Sequence, residues 1–124
     1  LQSAGAHVVY GVVGYKTHAK MLMVVRREGG RLRRYVHLAT GNYHAKTTRM
    51  YTDFGLFTAD PTICREVHDI FLLLTSVSRA PKLEQLLCSP FTLYEGLLEK
   101  IRVEAEHARA GKKARIIAFL SSLS

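Results

Sequence analysis

Hydrophobic positions along this chain change their spacing once, near residue 60. Before that point they form short runs of the kind that build strands; after it they recur every third or fourth residue, as on helix faces. Residues 7–15 are rich in valine and tyrosine and predict a strand, with Gly11 and Gly14 marking kinks or close backbone approaches. Residues 19–27 are apolar on both faces, the pattern of a buried strand. Glu28-Gly29-Gly30 is a turn signal, and residues 33–40 read as the returning strand, alternating Tyr35 and His37 with Val36 and Leu38. Residues 39–57 form a polar connection that is long for a mere loop, and long loops often carry function.

Helices are predicted for the remainder. Asp60-Pro61 sets a capping residue before a proline, and Ile63, Val67, Ile70, Phe71 and Leu74 follow at helical spacing, which predicts a helix over residues 61–77. Ser89-Pro90 repeats the start signal. Leu93, Leu97 and Ile101 then recur every fourth residue, and Gly111 ends a helix predicted over residues 91–110. Residues 114–120 read as one more strand. The expected architecture is mixed α/β, a small sheet of residues 7–15, 19–27 and 33–40 covered by two helices.

Composition narrows the class. Of 124 residues, 48 % are hydrophobic and 23 % charged, which suits a globular protein and not a disordered one. Apolar runs such as those at 21–25 and 70–74 are too short for a membrane-spanning helix. Cys64 and Cys88 are too few for a disulfide scaffold or a cysteine-rich zinc site, and read as packing residues in a reduced setting. The expected location is cytoplasmic, at most peripheral to the inner membrane face. The chain opens on Leu-Gln, which leads us to expect a piece of something longer.

The net charge of +8 is unevenly placed: residues 1–51 hold nine Lys or Arg against Glu28 alone, whereas residues 52–124 balance nine against nine. Such asymmetry fits an anionic partner at that end, such as phosphate chains, nucleotides, nucleic acid or a lipid surface. It fits equally well the solvated tip of a hairpin bearing Arg26, Arg27, Arg31, Arg33 and Arg34.

His18 and Lys20 stand two apart at the entry to the second predicted strand, so alternation puts both on one sheet face. An imidazole is largely neutral and nucleophilic near physiological pH, and a lysine beside it supplies positive charge for phosphate oxygens. The pair suits phosphoryl transfer through a phosphohistidine. Alone, His-x-Lys is a weak signal that a surface histidine beside a lysine would also produce. A second His-Ala-Lys, at 44–46, lies in the polar connection with no apolar strand behind it. His7, His18, His37 and His44 lack the carboxylate or thiolate spacing that would support a metal site.

The wider context is more specific. Thr17-His18-Ala19-Lys20, then Arg34-Tyr35-Val36-His37-Leu38-Ala39-Thr40-Gly41-Asn42-Tyr43, then Thr48-Arg49-Met50-Tyr51-Thr52-Asp53 fall in an order and spacing that closely resemble the polyphosphate kinase family, which polymerises the terminal phosphate of ATP. The likeness is strong over residues 8–60 and continues more weakly to Ile117. It implies a phospholipase-D-like fold in which two catalytic domains share a site. Residues 1–80 would be most of the first such domain, and 81–124 a linker helix and the start of the second. Lys16, His18 and Lys20 match the family's Lys-x-His-x-Lys segment, so His18 would be the phosphorylated nucleophile and Lys20 its charge stabiliser. Tyr51 matches a tyrosine that contacts ATP. Asn42, in the retained Thr40-Gly41-Asn42 element, and Arg49 are the further nucleotide- or phosphate-binding candidates, although Arg49 and Lys46 also fit solvated loop charges.

Two departures from the broader phospholipase D pattern stand out. Val25 occupies the position of an aspartate, which counts against a phosphodiesterase and for the kinase, and Ala39 replaces a glycine whose loss would crowd the backbone. The resemblance also implies Mg²⁺ held mainly by substrate phosphates and by residues outside this chain, none of whose own side chains is expected to ligate it. The partners would be ATP, ADP and inorganic polyphosphate, with no specific nucleic acid and a homo-oligomeric parent. With the second histidine beyond this chain, the fragment alone is expected to be inactive. Two other readings stay open: a phospholipase-D-like phosphodiesterase, and a basic polyanion- or nucleic-acid-binding module without catalysis.

Overall fold

A computed structural model describes residues 1–75 and 82–119. Three strands form one antiparallel sheet in chain order: β1 (Lys20–Glu28), β2 (Arg31–Ala39) and β3 (Gly55–Thr58). Helix α1 (Pro61–Leu74) follows, and α2 (Leu93–Arg109) lies further along. The chain divides into two compact units, Leu1–Leu86 and Leu87–Ser124.

Gly29 and Gly30 both adopt positive φ, 53° and 78°, as a two-residue type I′ hairpin turn requires. That turn pairs Glu28 with Arg31 and, counting back, Leu22 with His37 and Lys20 with Ala39. β3 extends the sheet by pairing Phe57 with His37 and Gly55 with Ala39. Met21, Met23, Val36 and Leu38 consequently share one face, where they pack with Ile63, Cys64, Val67 and Phe71 of α1. Val36 and Val67 are almost fully buried. α1 starts where the sequence expects it, because the Asp60 carboxylate accepts hydrogen bonds from the Thr62 and Ile63 amides, both at 2.9 Å.

Several elements depart from expectation. Residues 7–15 form no strand: Gly11 and Gly14 take φ of 88° and 83°, which turns the backbone out of the extended region, and Tyr10 and Val13 are exposed. The third strand is Gly55–Thr58 instead, at the end of the segment read as a polar connection. β1 is covered on one face only, since Leu22 and Val24 on the other are half-exposed. The start at Ser89-Pro90 is displaced to Leu93, and the Thr92 hydroxyl accepts from the Cys88 amide instead of capping the helix. Gly111, with φ of 69°, follows α2 as expected. Residues 114–119 form no strand, and Leu120 lies outside the described residues, as do the end of the 61–77 helix and the expected domain boundary at 80/81.

The first unit is tied together by one buried carboxylate. Glu66 on α1 is fully buried and accepts hydrogen bonds from the amides of Glu84, Gln85 and Leu86, at 2.8–3.2 Å. Leu86 can then pack against the core around Val36. A surface ion pair, Arg65 to Glu84 at 3.1 Å, runs alongside and adds little by comparison. Changing Glu66 to Gln replaces one acceptor oxygen by an NH₂ that faces amide donors. We expect Glu66→Gln to lower unfolding free energy by about 2–3 kcal/mol. Urea denaturation followed by circular dichroism measures this, and an unchanged midpoint and slope would contradict the assignment.

Candidate functional site

His18 directly precedes β1, and Lys20 is the first residue of that strand. The Lys20 ammonium sits 3.1 Å from Nε2 and 3.2 Å from Nδ1 of the His18 ring. It can therefore donate to whichever ring nitrogen is unprotonated, in either neutral tautomer. His18 is exposed and Lys20 only partly so. The two residues the sequence singled out for chemistry thus meet, with the imidazole open to an incoming substrate.

The ladder sets what lies beside them. Lys20 pairs with Ala39, and Leu22 with His37, so Lys20, Leu22, Ala39, His37 and Phe57 share the sheet face turned away from α1. Across from Ala39 stands Gly55, and the space over that glycine is taken by the His37 ring.

After Ala39 the chain leaves the sheet, loops, and returns at Gly55. Thr40 and Asp53 clamp the base of this loop. The Thr40 hydroxyl donates to Asp53 Oδ1 at 3.0 Å and accepts from the Phe54 amide at 3.0 Å, while the Thr40 amide donates to the Phe54 carbonyl at 3.0 Å. The loop carries the other expected site residues. Asn42 is exposed, Arg49 ends a short 3₁₀ turn (Thr47–Arg49), and Tyr51 is 59 % exposed. The arrangement brings these three to the end of the sheet where Lys20 lies, and among the described residues no hydrogen bond joins any of them to His18 or Lys20. His44 has a local role: its Nδ1 lies 3.0 Å from the Thr47 hydroxyl at the start of the 3₁₀ turn.

His37 was legible only as part of a strand, yet it is closely held. Its ring stacks on Phe57 with centroids 4.2 Å apart. Its Nδ1 lies 2.9 Å from the Tyr43 hydroxyl, which also reaches the His37 carbonyl at 3.4 Å. Both bonds are satisfied when Nδ1–H donates to Tyr43 and the tyrosine donates to the carbonyl. A Cβ on Gly55 would fall 2.7 Å from Nε2, so only glycine leaves space for the ring. The tight Gly29-Gly30 turn was the available signal, because counting pairs back from it puts His37 on the face of Lys20.

At the hairpin tip Glu28 lies 3.4 Å from Arg26 and 3.9 Å from Arg33, and it accepts the Tyr35 hydroxyl at 2.9 Å. That bond holds the Tyr35 phenol above its ordinary pKa. Arg27, Arg31 and Arg34 make no ion pair among the described residues, so the tip keeps a positive excess. Burial pushes the Cys64 thiol above its ordinary pKa, which suits packing and not reactivity. Among the described residues no group of three or more His, Cys, Asp or Glu side chains could hold a metal ion. A cleft of about 470 Å³ opens between Val9, Tyr10 and Thr17 on one side and Phe71 and Leu74 on the other, and none of the expected site residues lines it.

Comparison with known proteins places this geometry. Residues 1–80 match the family described as polyphosphate kinase C-terminal domain 1. The chain is 61 % identical to a polyphosphate kinase of Paraburkholderia phytofirmans over 127 aligned positions, covering 99 % of this chain and 18 % of that protein. It is 58 % identical to one of Xylella fastidiosa, covering 100 % of this chain and 18 % of that protein. The crystal structure of polyphosphate kinase from Porphyromonas gingivalis superposes with a TM-score of 0.76 at 29 % identity, covering 90 % of this chain and 19 % of that one. The chain thus spans 18 % of the length of these two curated relatives.

The packing of His37 against Gly55 yields a direct test. We expect Gly55→Ala to push the imidazole off Phe57 and Tyr43 and to destabilise the unit by about 1–3 kcal/mol. Nitrogen NMR of His37 should show loss of the Nδ1 hydrogen bond in the same variant, and an unperturbed ring would contradict the close approach.

Proposed function

We propose, from the premise that this chain belongs to the polyphosphate kinase family, that it supplies the nucleophile half of a site that moves the γ-phosphate of ATP onto polyphosphate. The observation that carries this reading is the Lys20 ammonium 3.1 Å from an exposed His18 ring, beside the loop that bears Asn42, Arg49 and Tyr51. In the proposed reaction the unprotonated ring nitrogen of His18 attacks the γ-phosphorus in line. A nitrogen–phosphorus bond forms, the bond from phosphorus to the β–γ bridging oxygen breaks, and ADP leaves with that electron pair. The terminal oxygen of a polyphosphate chain then attacks the same phosphorus, the nitrogen–phosphorus bond breaks, and the chain is one unit longer. Run backward, the same steps make ATP.

Catalysis of this type is mainly positioning and charge neutralisation. Lys20 would give up its bond to the His18 ring to hold a phosphoryl oxygen, which frees the ring nitrogen for attack, Tyr51 would contact the nucleotide, and Asn42 and Arg49 would bind phosphate or nucleotide oxygens. Magnesium, when bound, neutralises phosphate charge. It would be held mainly by phosphate oxygens, as a hard cation prefers. Val25 supports the kinase over a diesterase, since a valine cannot supply the carboxylate that the phosphodiesterase pattern has there.

In a full-length enzyme carrying this segment, His18→Ala should abolish acid-labile, alkali-stable phosphate labelling from γ-labelled ATP, and His44→Ala should leave most of it. Lys20→Ala should slow labelling by about 10²-fold, the usual cost of one preorganised charge contact at a transition state. Mass spectrometry of the labelled protein reads the outcome, and phosphate on His44, or label persisting in His18→Ala, refutes the assignment. The 124 residues alone should make no measurable polymer, because members of a catalytic unit act together. Robust synthesis from ATP by this chain would refute the half-site reading.

A further inference from the structure

We infer that Asp53 and Thr40 are positioning residues, a clamp that holds the nucleotide-contacting loop at a set place beside His18 and Lys20. The inference rests on the proposed function for the role of Tyr51, and on separate geometry for the clamp. Three bonds of 3.0 Å close the base of the loop: Thr40 hydroxyl to Asp53 Oδ1, Phe54 amide to Thr40 hydroxyl, and Thr40 amide to Phe54 carbonyl. A single threonine hydroxyl therefore acts as donor and acceptor at once, leaving no rotational freedom in its proton. Gly41 completes the fit, because a Cβ there would collide with the Asp53 carboxylate. The side chain of Asp53 thus lies flat against the first residue of the loop it closes.

The place of the clamp gives it consequence. Thr40 follows Ala39, which is the ladder partner of Lys20, and Asp53 follows Tyr51 by two residues. The covalent and hydrogen-bonded routes from the nucleophile pair to Tyr51 therefore run through this cluster of bonds and the Ala39–Gly55 ladder pair beside it. The loop itself is exposed along nearly its whole length and lacks a packed core of its own. Its orientation relative to His18 must then come from its base, where loop-closure entropy has already been spent, together with the bond of Tyr43 to His37. Asp53 touches no reacting atom in this account; it sets where Tyr51, Asn42 and Arg49 stand when ATP arrives.

The test uses a full-length enzyme carrying this segment, with KM for ATP and kcat measured separately. Asp53→Ala and Thr40→Val should each raise KM for ATP about ten-fold, the equivalent of one charge-assisted hydrogen bond, with a smaller change in kcat. The double variant should do no more than Thr40→Val alone, since Asp53→Ala removes one of the two bonds that Thr40→Val removes. Asp53→Asn and Thr40→Ser keep an acceptor and a hydroxyl respectively, and should restore KM to near the parent value. A merely structural role would lower the amount of active enzyme, hence kcat, and leave KM alone. Thr40→Val preserves shape and so guards against a failure of Asp53→Ala to fold. Tyr51→Ala separates the two ideas. If it leaves KM unchanged, the nucleotide reading of the loop fails, and the inference with it. If Tyr51→Ala raises KM while Thr40→Val does not, or if Asp53→Asn is as damaging as Asp53→Ala, the clamp is overturned alone.

Discussion

The register of one hairpin governs the arrangement of the candidate site. Gly29 and Gly30 close it in two residues, both with left-handed backbone, and a loop that short admits only one pairing of the flanking strands. A slip of one residue would turn every side chain of β1 to the opposite face. Lys20 would then point at α1, and Met21 and Met23 would point at solvent. The apolar pattern opposes such a slip, because Met21, Met23, Val36 and Leu38 are buried together only in the observed pairing. Turn chemistry and core packing therefore specify the same register, and the chemistry at the far end of the strands inherits it.

The core that enforces the register is small, and a polar interaction completes it. Val36, Cys64 and Val67 are its buried centre, with partly buried neighbours around them. One of those neighbours, Leu86, arrives from a segment without regular structure, and it is brought there by the Glu66 carboxylate taking three successive backbone amides. A buried carboxylate is costly unless its oxygens are satisfied, and here both are. Removing the acceptor would leave donors unpaired in the same dry place, so the cost of the arrangement is also what makes it specific.

The first helix, the hairpin and the meeting of His18 with Lys20 were legible in the sequence because each is written in local signals. Asp60-Pro61 announces α1, Gly29-Gly30 announces the turn, and His18-Ala19-Lys20 sits where a strand begins. What escaped depends on contacts distant in sequence. Residues 7–15 have strand composition, yet Gly11 and Gly14 use their freedom to turn and no neighbouring strand pairs them. Residues 55–58 make a run too short to announce a strand at the end of a polar stretch, yet β2 offers them a free edge and the Thr40–Asp53 clamp delivers them to it. His37 and Asp53 escaped for the same reason: each matters through a partner several or more residues away, Tyr43 in one case and Thr40 in the other.

The open face of the sheet bears on the proposed role of His18 and Lys20 as half of a site. His18 and Tyr51 are exposed and Lys20 is only partly covered, so water reaches all three. Phosphoryl transfer in such a setting is slow, because a charge contact in water is worth a small fraction of its value in a dry, low-dielectric pocket. An exposed imidazole would also lose its phosphoryl group to water as readily as to an acceptor chain. Leu22, Val24 and Phe57 add apolar area to the same face, with Phe57 82 % exposed. Apolar residues beside a charged pair suit a surface that is to be covered, where they would exclude water while Lys20 keeps its charge for phosphate. In the proposed function, the rate of the site would depend on what covers this face.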